Sequence, residues 1–186
     1  MEHGAVLPSI LKELSDNARL VSTDELERFT DLILSSRRVF VAGVGRSGFM
    51  ARAFANRLMH LGLSAYFVGE TITPAIQLGD LLVIGSGSGE TGSLVVMARK
   101  ARSLGARLAT LTVHPEASVG GMADAVVRIP GVSPKSDLGN AVTTIQPMGN
   151  AFEQMSLLVY DAAVMILMDK LGRTSEEMFR LHANLE

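Results

Sequence analysis

The 186-residue chain contains no cysteine and no tryptophan. Without cysteine it has no disulfide, no thiolate nucleophile and no zinc–sulfur site. It also lacks a basic run, and its formal charge is −2. Together with the absence of tryptophan, this argues against nucleic acid as the main partner. The opening residues, with Glu2, His3 and Pro8, lack the charged start and apolar centre of a secretory leader. The longest apolar run, over 157–168, is interrupted by Asp161 and is too short for a membrane span. A cytoplasmic protein is expected. His60, His114 and His182 lack ligand spacing with one another, so no metal site is expected either.

Apolar residues, by contrast, are plentiful, at 47% of the chain with a mean hydropathy of +0.28. That is high for a soluble monomer and points to apolar surface shared between subunits. The length suits one domain with a full core. Leu7, Ile10, Leu11 and Leu14 follow helical spacing, as do Leu26, Phe29, Leu32 and Ile33. These helices form an N-terminal arm over 1–37. A regular alternation then fills 38–130, with strands at 39–42, 65–68, 81–84, 107–112 and 125–129. Helices are expected at 48–61 and 92–104, with a short one near 118–122. Gly62 and Gly105 fall just past helix ends, where a left-handed residue is wanted. Strands alternating with helices predict a doubly wound, flavodoxin-like sheet of five parallel strands, covered on both faces. The third segment, 131–186, holds the rest of a long loop over 130–149, a helix over 151–170 closed by Gly172, and a short helix over 175–181. That long helix is apolar around nearly its whole circumference, which predicts burial on more than one side. Thr174 and Glu177 fit a capping box for the last helix.

Two loops carry the chemistry. After the 81–84 strand come Gly85, Ser86, Gly87, Ser88, Gly89, Glu90 and Thr91, and then a helix. Glycines let backbone N–H groups approach a ligand, hydroxyls add donors, and a helix start adds its positive dipole end. Such a loop suits a phosphate, although glycine- and serine-rich segments also serve as plain strand-to-helix turns. The 43–48 loop, Gly43-Val44-Gly45-Arg46-Ser47-Gly48, matches the dinucleotide fingerprint, and Glu70 stands where an acidic residue would meet a ribose. The second hydroxyl loop is not needed by a nicotinamide fold. Two neighbouring strand ends, one with Ser47 and one with Ser86, Ser88 and Thr91, converge more naturally on one small phosphorylated ligand.

Over 32–129 this pattern resembles the sugar isomerase (SIS) domain. Adding His60, the 146–154 segment Gln-Pro-Met-Gly-Asn-Ala-Phe-Glu-Gln and the 182–186 tail His-Ala-Asn-Leu-Glu, the chain is similar to the 6-phospho-3-hexuloisomerase family. The resemblance implies interconversion of D-arabino-hex-3-ulose 6-phosphate and fructose 6-phosphate in formaldehyde fixation by the ribulose monophosphate pathway. It implies a phosphorylated ketohexose as ligand, no cofactor, and a homotetramer with active sites near subunit boundaries. Such an isomerisation moves a proton between C2 and C3 through an enediolate, and one buried carboxylate can carry it. By resemblance that base is Glu153. From the residues alone, Asn150 and Glu153 also have capping-box spacing, and a helix cap remains open. His182, in the tail motif, is implied to shuttle protons between O2 and O3 or to open the sugar ring. His60, at a helix end, has both an active-site and a dipole role open to it. Arg46 adds positive charge beside a phosphate, and Lys135 lies in the long loop. Two other classes stand beside the isomerase. A sugar-phosphate sensor would need a DNA-binding module, for which the chain has no room, and an NAD(P)-dependent oxidoreductase would rest on the first loop alone.

Overall fold

In the computed structural model, residues 3–133 and 142–185 are described, so Lys135 and the rest of 134–141 lie outside the described residues. After a 3-10 turn at His3–Ala5, two helices, α1 (Val6–Ala18) and α2 (Thr23–Leu34), precede the sheet. The series continues with β1 (Val39–Ala42), α3 (Gly45–His60), β2 (Ala65–Phe67), β3 (Leu81–Gly85), α4 (Gly92–Ser103), β4 (Arg107–Thr112) and β5 (Ala125–Arg128). It closes with α5 (Asn150–Leu171) and α6 (Ser175–Phe179). All strand pairings are parallel, in the order β2-β1-β3-β4-β5. This is the flavodoxin-like order expected from the strand and helix pattern.

The strands sort their side chains by alternation. Val41, Val83, Ala109 and Leu111 face a core shared with Phe29 of α2, Phe54 and Leu58 of α3, and Tyr160 and Leu167 of α5. Phe40, Leu82, Ile84 and Leu108 face the other way, against Leu94, Ala98 and Ala101 of α4. The two faces are covered unequally, with α4 the one long helix on the second. The N-terminal arm is no appendage, because α2 packs on β5 and α5, and α1 packs on α5.

Local signals are realised closely. Gly62, Gly105 and Gly172 take φ of 84°, 79° and 61° behind their helices. Thr174 and Glu177 form the reciprocal capping box. The helix expected near 118–122 is only a 3-10 turn, Gly120–Met122. Its two glycines give too little helix preference to extend it. The 22-residue α5 is long and apolar enough to cross a bilayer by length and composition, yet half of its most apolar stretch is buried inside the protein. Val159 lies in the core at 3% exposure, whereas Leu158 and Met165 face outward. The apolar circumference thus splits into a core face and an open face.

The foot of the sheet is held by one buried charge. Asp80, fully buried, accepts from Arg38 Nη2 at 2.6 Å and Arg38 Nε at 3.0 Å. It also accepts from Arg37 Nε at 3.3 Å and from the Gln77 N–H at 2.8 Å. Burial pushes this carboxyl up, but the Arg38, Gln77 and Arg37 donors outweigh burial and hold it below the usual carboxylate range. Asp80→Asn leaves the partly exposed Arg38 and Arg37 guanidiniums short of their counter-charge, and losing these charge-assisted bonds is expected to destabilise the protein by about 1.5–3 kcal/mol in urea unfolding at neutral pH. Because the folded carboxyl is depressed, its contribution is complete above the unfolded value of about 4. It is lost as pH falls through the folded value, so the parent and the variant converge in acid.

Candidate active site

In this strand order the chain leaves β1 and β3 toward opposite faces, and the crevice between their carboxyl ends is where doubly wound sheets bind ligands. A cleft of about 300 Å³ opens there. Val44, Gly45, Arg46 and Ser47 line one wall, and Ser86, Gly87, Ser88 and Thr91 line the opposite one. Val132 and Ser133 approach from beyond β5, and the start of α5 contributes Asn150, Phe152 and Glu153. The N-termini of α3, α4 and α5 therefore all border the cleft. None of the three has a side-chain cap hydrogen bond. Uncapped N–H groups and three positive dipole ends around one hollow favour negative charge there.

The first loop is tight because Gly48 sits on Gly43. A Cβ at Gly48 would meet the Gly43 carbonyl oxygen at 2.8 Å. The second is braced from behind. The Ser86 carbonyl and its Oγ each accept the Gly89 N–H at 3.2 Å, and Ser88 Oγ accepts the Glu90 N–H at 3.2 Å. The Gly87 carbonyl accepts from the Val113 N–H at 3.1 Å and from the Thr112 hydroxyl at 3.2 Å. Glu90 points away from the cleft and accepts from the Ser118 N–H at 2.6 Å and the Ser118 hydroxyl at 2.7 Å. Those two donors hold its carboxyl below the usual range. Ser47, Ser86, Gly87, Ser88 and Thr91 thus gather in the cleft, whereas Gly89 and Glu90 shape the loop behind it.

Glu153 stands in the first turn of α5, its Oε2 at 3.0 Å from Arg46 Nη1. Arg46 also donates to the Asn150 side-chain oxygen. The cap position belongs to Gly149, whose carbonyl accepts the Glu153 N–H at 3.1 Å, so the Asn150–Glu153 capping box is not formed. The carboxylate faces the cleft and its arginine. Residue types alone did not reveal the roles of Asn150, Phe152 and Met148 as cleft walls. The 146–154 motif contained the signal, but no local rule aims those side chains.

The histidines are elsewhere. His60 ends α3, about 22 Å along the helix axis from Gly45 at 1.5 Å per residue. It is 5% exposed, with its ring stacked on His182 at 5.2 Å between centroids. Burial, and then the neighbouring Arg57 and His182, push its pKa below the ordinary imidazole value. Within one chain, Glu153 and the His60–His182 pair do not share a site. Glu70 pairs with Arg52 and is not among the cleft residues, which removes the ribose partner of the dinucleotide pattern. Among the described residues no cluster of three or more metal-ligand side chains occurs.

The fold and cleft define a doubly wound α/β protein with a polar cleft, bordered by three helix N-termini, at its switch point. Residues 32–174 match the SIS domain. The chain is similar to a 3-hexulose-6-phosphate isomerase of Bacillus subtilis (strain 168), 53% identical over 95% of each chain. It is also similar to one of Mycobacterium gastri, 42% identical over 97% of this chain and 89% of the other. A solved structure from Methanococcus jannaschii, for which a molecular function of 3-hexulose-6-phosphate isomerase is inferred, matches with a TM-score of 0.83. The two are 31% identical over 97% and 98% of their lengths. The chain belongs to the SIS domain family.

Gly89 tests the bracing. Its φ is +64°, and a Cβ there would meet the Ala117 Cβ at 2.7 Å. Gly89→Ala is expected to lose at least about 1–2 kcal/mol from the left-handed backbone alone, with the clash added. Urea unfolding should show this loss, while Gly121→Ala, with no atom within 4 Å of the new Cβ, stays at the parent midpoint.

Proposed function

We propose that this protein interconverts D-arabino-hex-3-ulose 6-phosphate and fructose 6-phosphate through an enediolate, in the cytoplasm and within the ribulose monophosphate pathway. One observation carries the reading. Three uncapped helix N-termini and five hydroxyl side chains meet a carboxylate–arginine pair in a single cleft. The identity with 3-hexulose-6-phosphate isomerases over nearly the whole chain supports the substrate.

The phosphate sits against Ser86, Ser88, Thr91 and the start of α4, with Ser47 reaching from the other wall. Each charge-assisted bond from such a donor contributes about 1.5–3 kcal/mol to binding. With the phosphate anchored there, the sugar chain runs toward α5. Glu153 takes the proton from C2 of the 3-ulose and returns it to C3 on the same face. Electrons from the broken C–H bond pass into the C2–C3 double bond, and the C3 carbonyl oxygen becomes the enediolate oxygen. Arg46 and the α5 terminus supply positive charge where that oxygen develops. Glu153→Gln keeps size and most hydrogen bonding but removes the base. Turnover is expected to fall by roughly 10²–10⁴ while fructose 6-phosphate still binds in calorimetry. A Glu153→Gln enzyme that exchanges solvent deuterium into C3 of fructose 6-phosphate at the parent rate places the base elsewhere.

The second proton step, between O2 and O3 or in ring opening, falls to His182 with His60 behind it. On this reading they serve the cleft of a neighbouring copy in a homotetramer, which their distance from the cleft of their own chain supports. Outward-facing apolar side chains, Leu7 and Leu11 on α1 and Leu158 and Met165 on α5, offer surface for that assembly. Co-expression of Glu153→Gln with His182→Ala chains decides the point. Each variant alone should be nearly inactive, and the mixed oligomer should regain a substantial part of the parent activity. Mixed oligomers no more active than either variant would remove the shared-site arrangement.

A further inference from the structure

Met148 is the one described residue other than glycine with positive φ, at 54°. A side chain in that region crowds its own backbone, and the chain commonly places glycine there. Here the glycine is next door, with Gly149 at an ordinary φ of −101°. The strained conformation has been assigned to the residue with the long apolar side chain.

The backbone around it is fastened. Gln146, 7% exposed, donates through Nε2 to Glu13 of α1 at 3.2 Å. The Asn150 N–H donates to the Pro147 carbonyl at 3.2 Å, and the Asn150 side chain holds Arg46. Anchors on both sides keep residue 148 from relaxing. The outcome is a methionine that lines the cleft and is nonetheless 76% exposed, five positions before Glu153 and in the company of the half-exposed Val44. Strain that the surroundings hold in place beside a reacting group is a mark of function.

We propose that Met148 is a substrate-contacting side chain that closes over the carbon chain of the bound sugar phosphate, fixing its position and keeping water from Glu153 and the enediolate. The proposal rests on the sugar-phosphate isomerase reading above. An unbranched thioether side chain adapts to an irregular surface such as a run of C–H and hydroxyl groups. Excluding water strengthens the electrostatic action of Arg46 and the helix termini on the developing charge.

Limited oxidation by hydrogen peroxide, read by peptide mass spectrometry, tests it. Fructose 6-phosphate binding is measured by calorimetry on the same sample. Bound ligand should slow sulfoxide formation at Met148 several-fold. Met165, 70% exposed on the outer side of α5, should oxidise at an unchanged rate. Ligand that binds without protecting Met148 overturns the proposal and leaves the isomerase reading standing. Equal protection with and without ligand also overturns it, since another surface would then cover the residue. Failure of fructose 6-phosphate to bind removes both. A second measurement separates contact from scaffolding. Met148→Gly relieves the left-handed strain, so its unfolding midpoint should equal or exceed the parent's. Its kcat/KM should fall roughly ten- to a hundredfold, the scale of a lost apolar contact in a pocket, and Met148→Leu should restore most of it. A Met148→Gly protein with the parent's kcat/KM overturns the assignment.

Discussion

The parallel pairing of β1 with β3, Val39 opposite Leu81 through Ala42 opposite Ile84, is the constraint on which the rest depends. Residues 43–80, with α3 and β2, come between these neighbours in the chain, so the connections leaving them turn to opposite faces of the sheet. The gap that opens is the cleft. Its two walls are the segments that follow each strand, so a shift of one residue in this register would exchange the side chains facing α3 and α5 with those facing α4 and misalign the serine loops. At the other end of the strands, Asp80 clasps Arg37 and Arg38 from the two strand entries and locks the register with charge.

The cleft's electrostatics follow from its placement rather than from an excess of basic residues. The chain is slightly acidic overall. Positive potential at the site comes from backbone dipoles of three helices and from Arg46, whose partner Glu153 keeps the local balance near neutral. That arrangement suits a reaction in which negative charge forms briefly on the substrate. It also explains the bracing behind the second loop. An anion site built from N–H groups is only as well organised as the backbone that carries them, and Glu90, Ser118, Thr112 and Val113 fix that backbone from outside the cleft.

One chain offers a cleft with the Glu153 carboxylate and three helix N-termini, and at the far end of α3 a stacked histidine pair. The apolar stripe left open on α5, with Leu158 and Met165, lies on the same helix as Glu153. One element, α5, therefore links core packing, the Glu153 carboxylate and the outward apolar face.

What the sequence by itself determined is everything that depends on neighbours a few positions away. The two periodicities placed each strand and all but one short helix within a few residues. Gly62, Gly105 and Gly172 marked helix ends, Thr174 and Glu177 formed their box, and the hydroxyl loop before α4 stood out as a wall of the cleft. The family resemblance supplied the substrate and pointed to Glu153 and His182. Only the tertiary structure decided that Arg46 meets Glu153 and Asn150 across more than a hundred positions, which turns Asn150 from an expected cap into a cleft wall. It also separated His182 from Glu153, put Val159 in the core while Leu158 faces outward, and set Met148 at the mouth of the cleft. Local signals arise from hydrogen bonds and side-chain spacing within a turn or two of chain. The pairings that make the site exist only after five strands have taken their order, and no short segment carries that information.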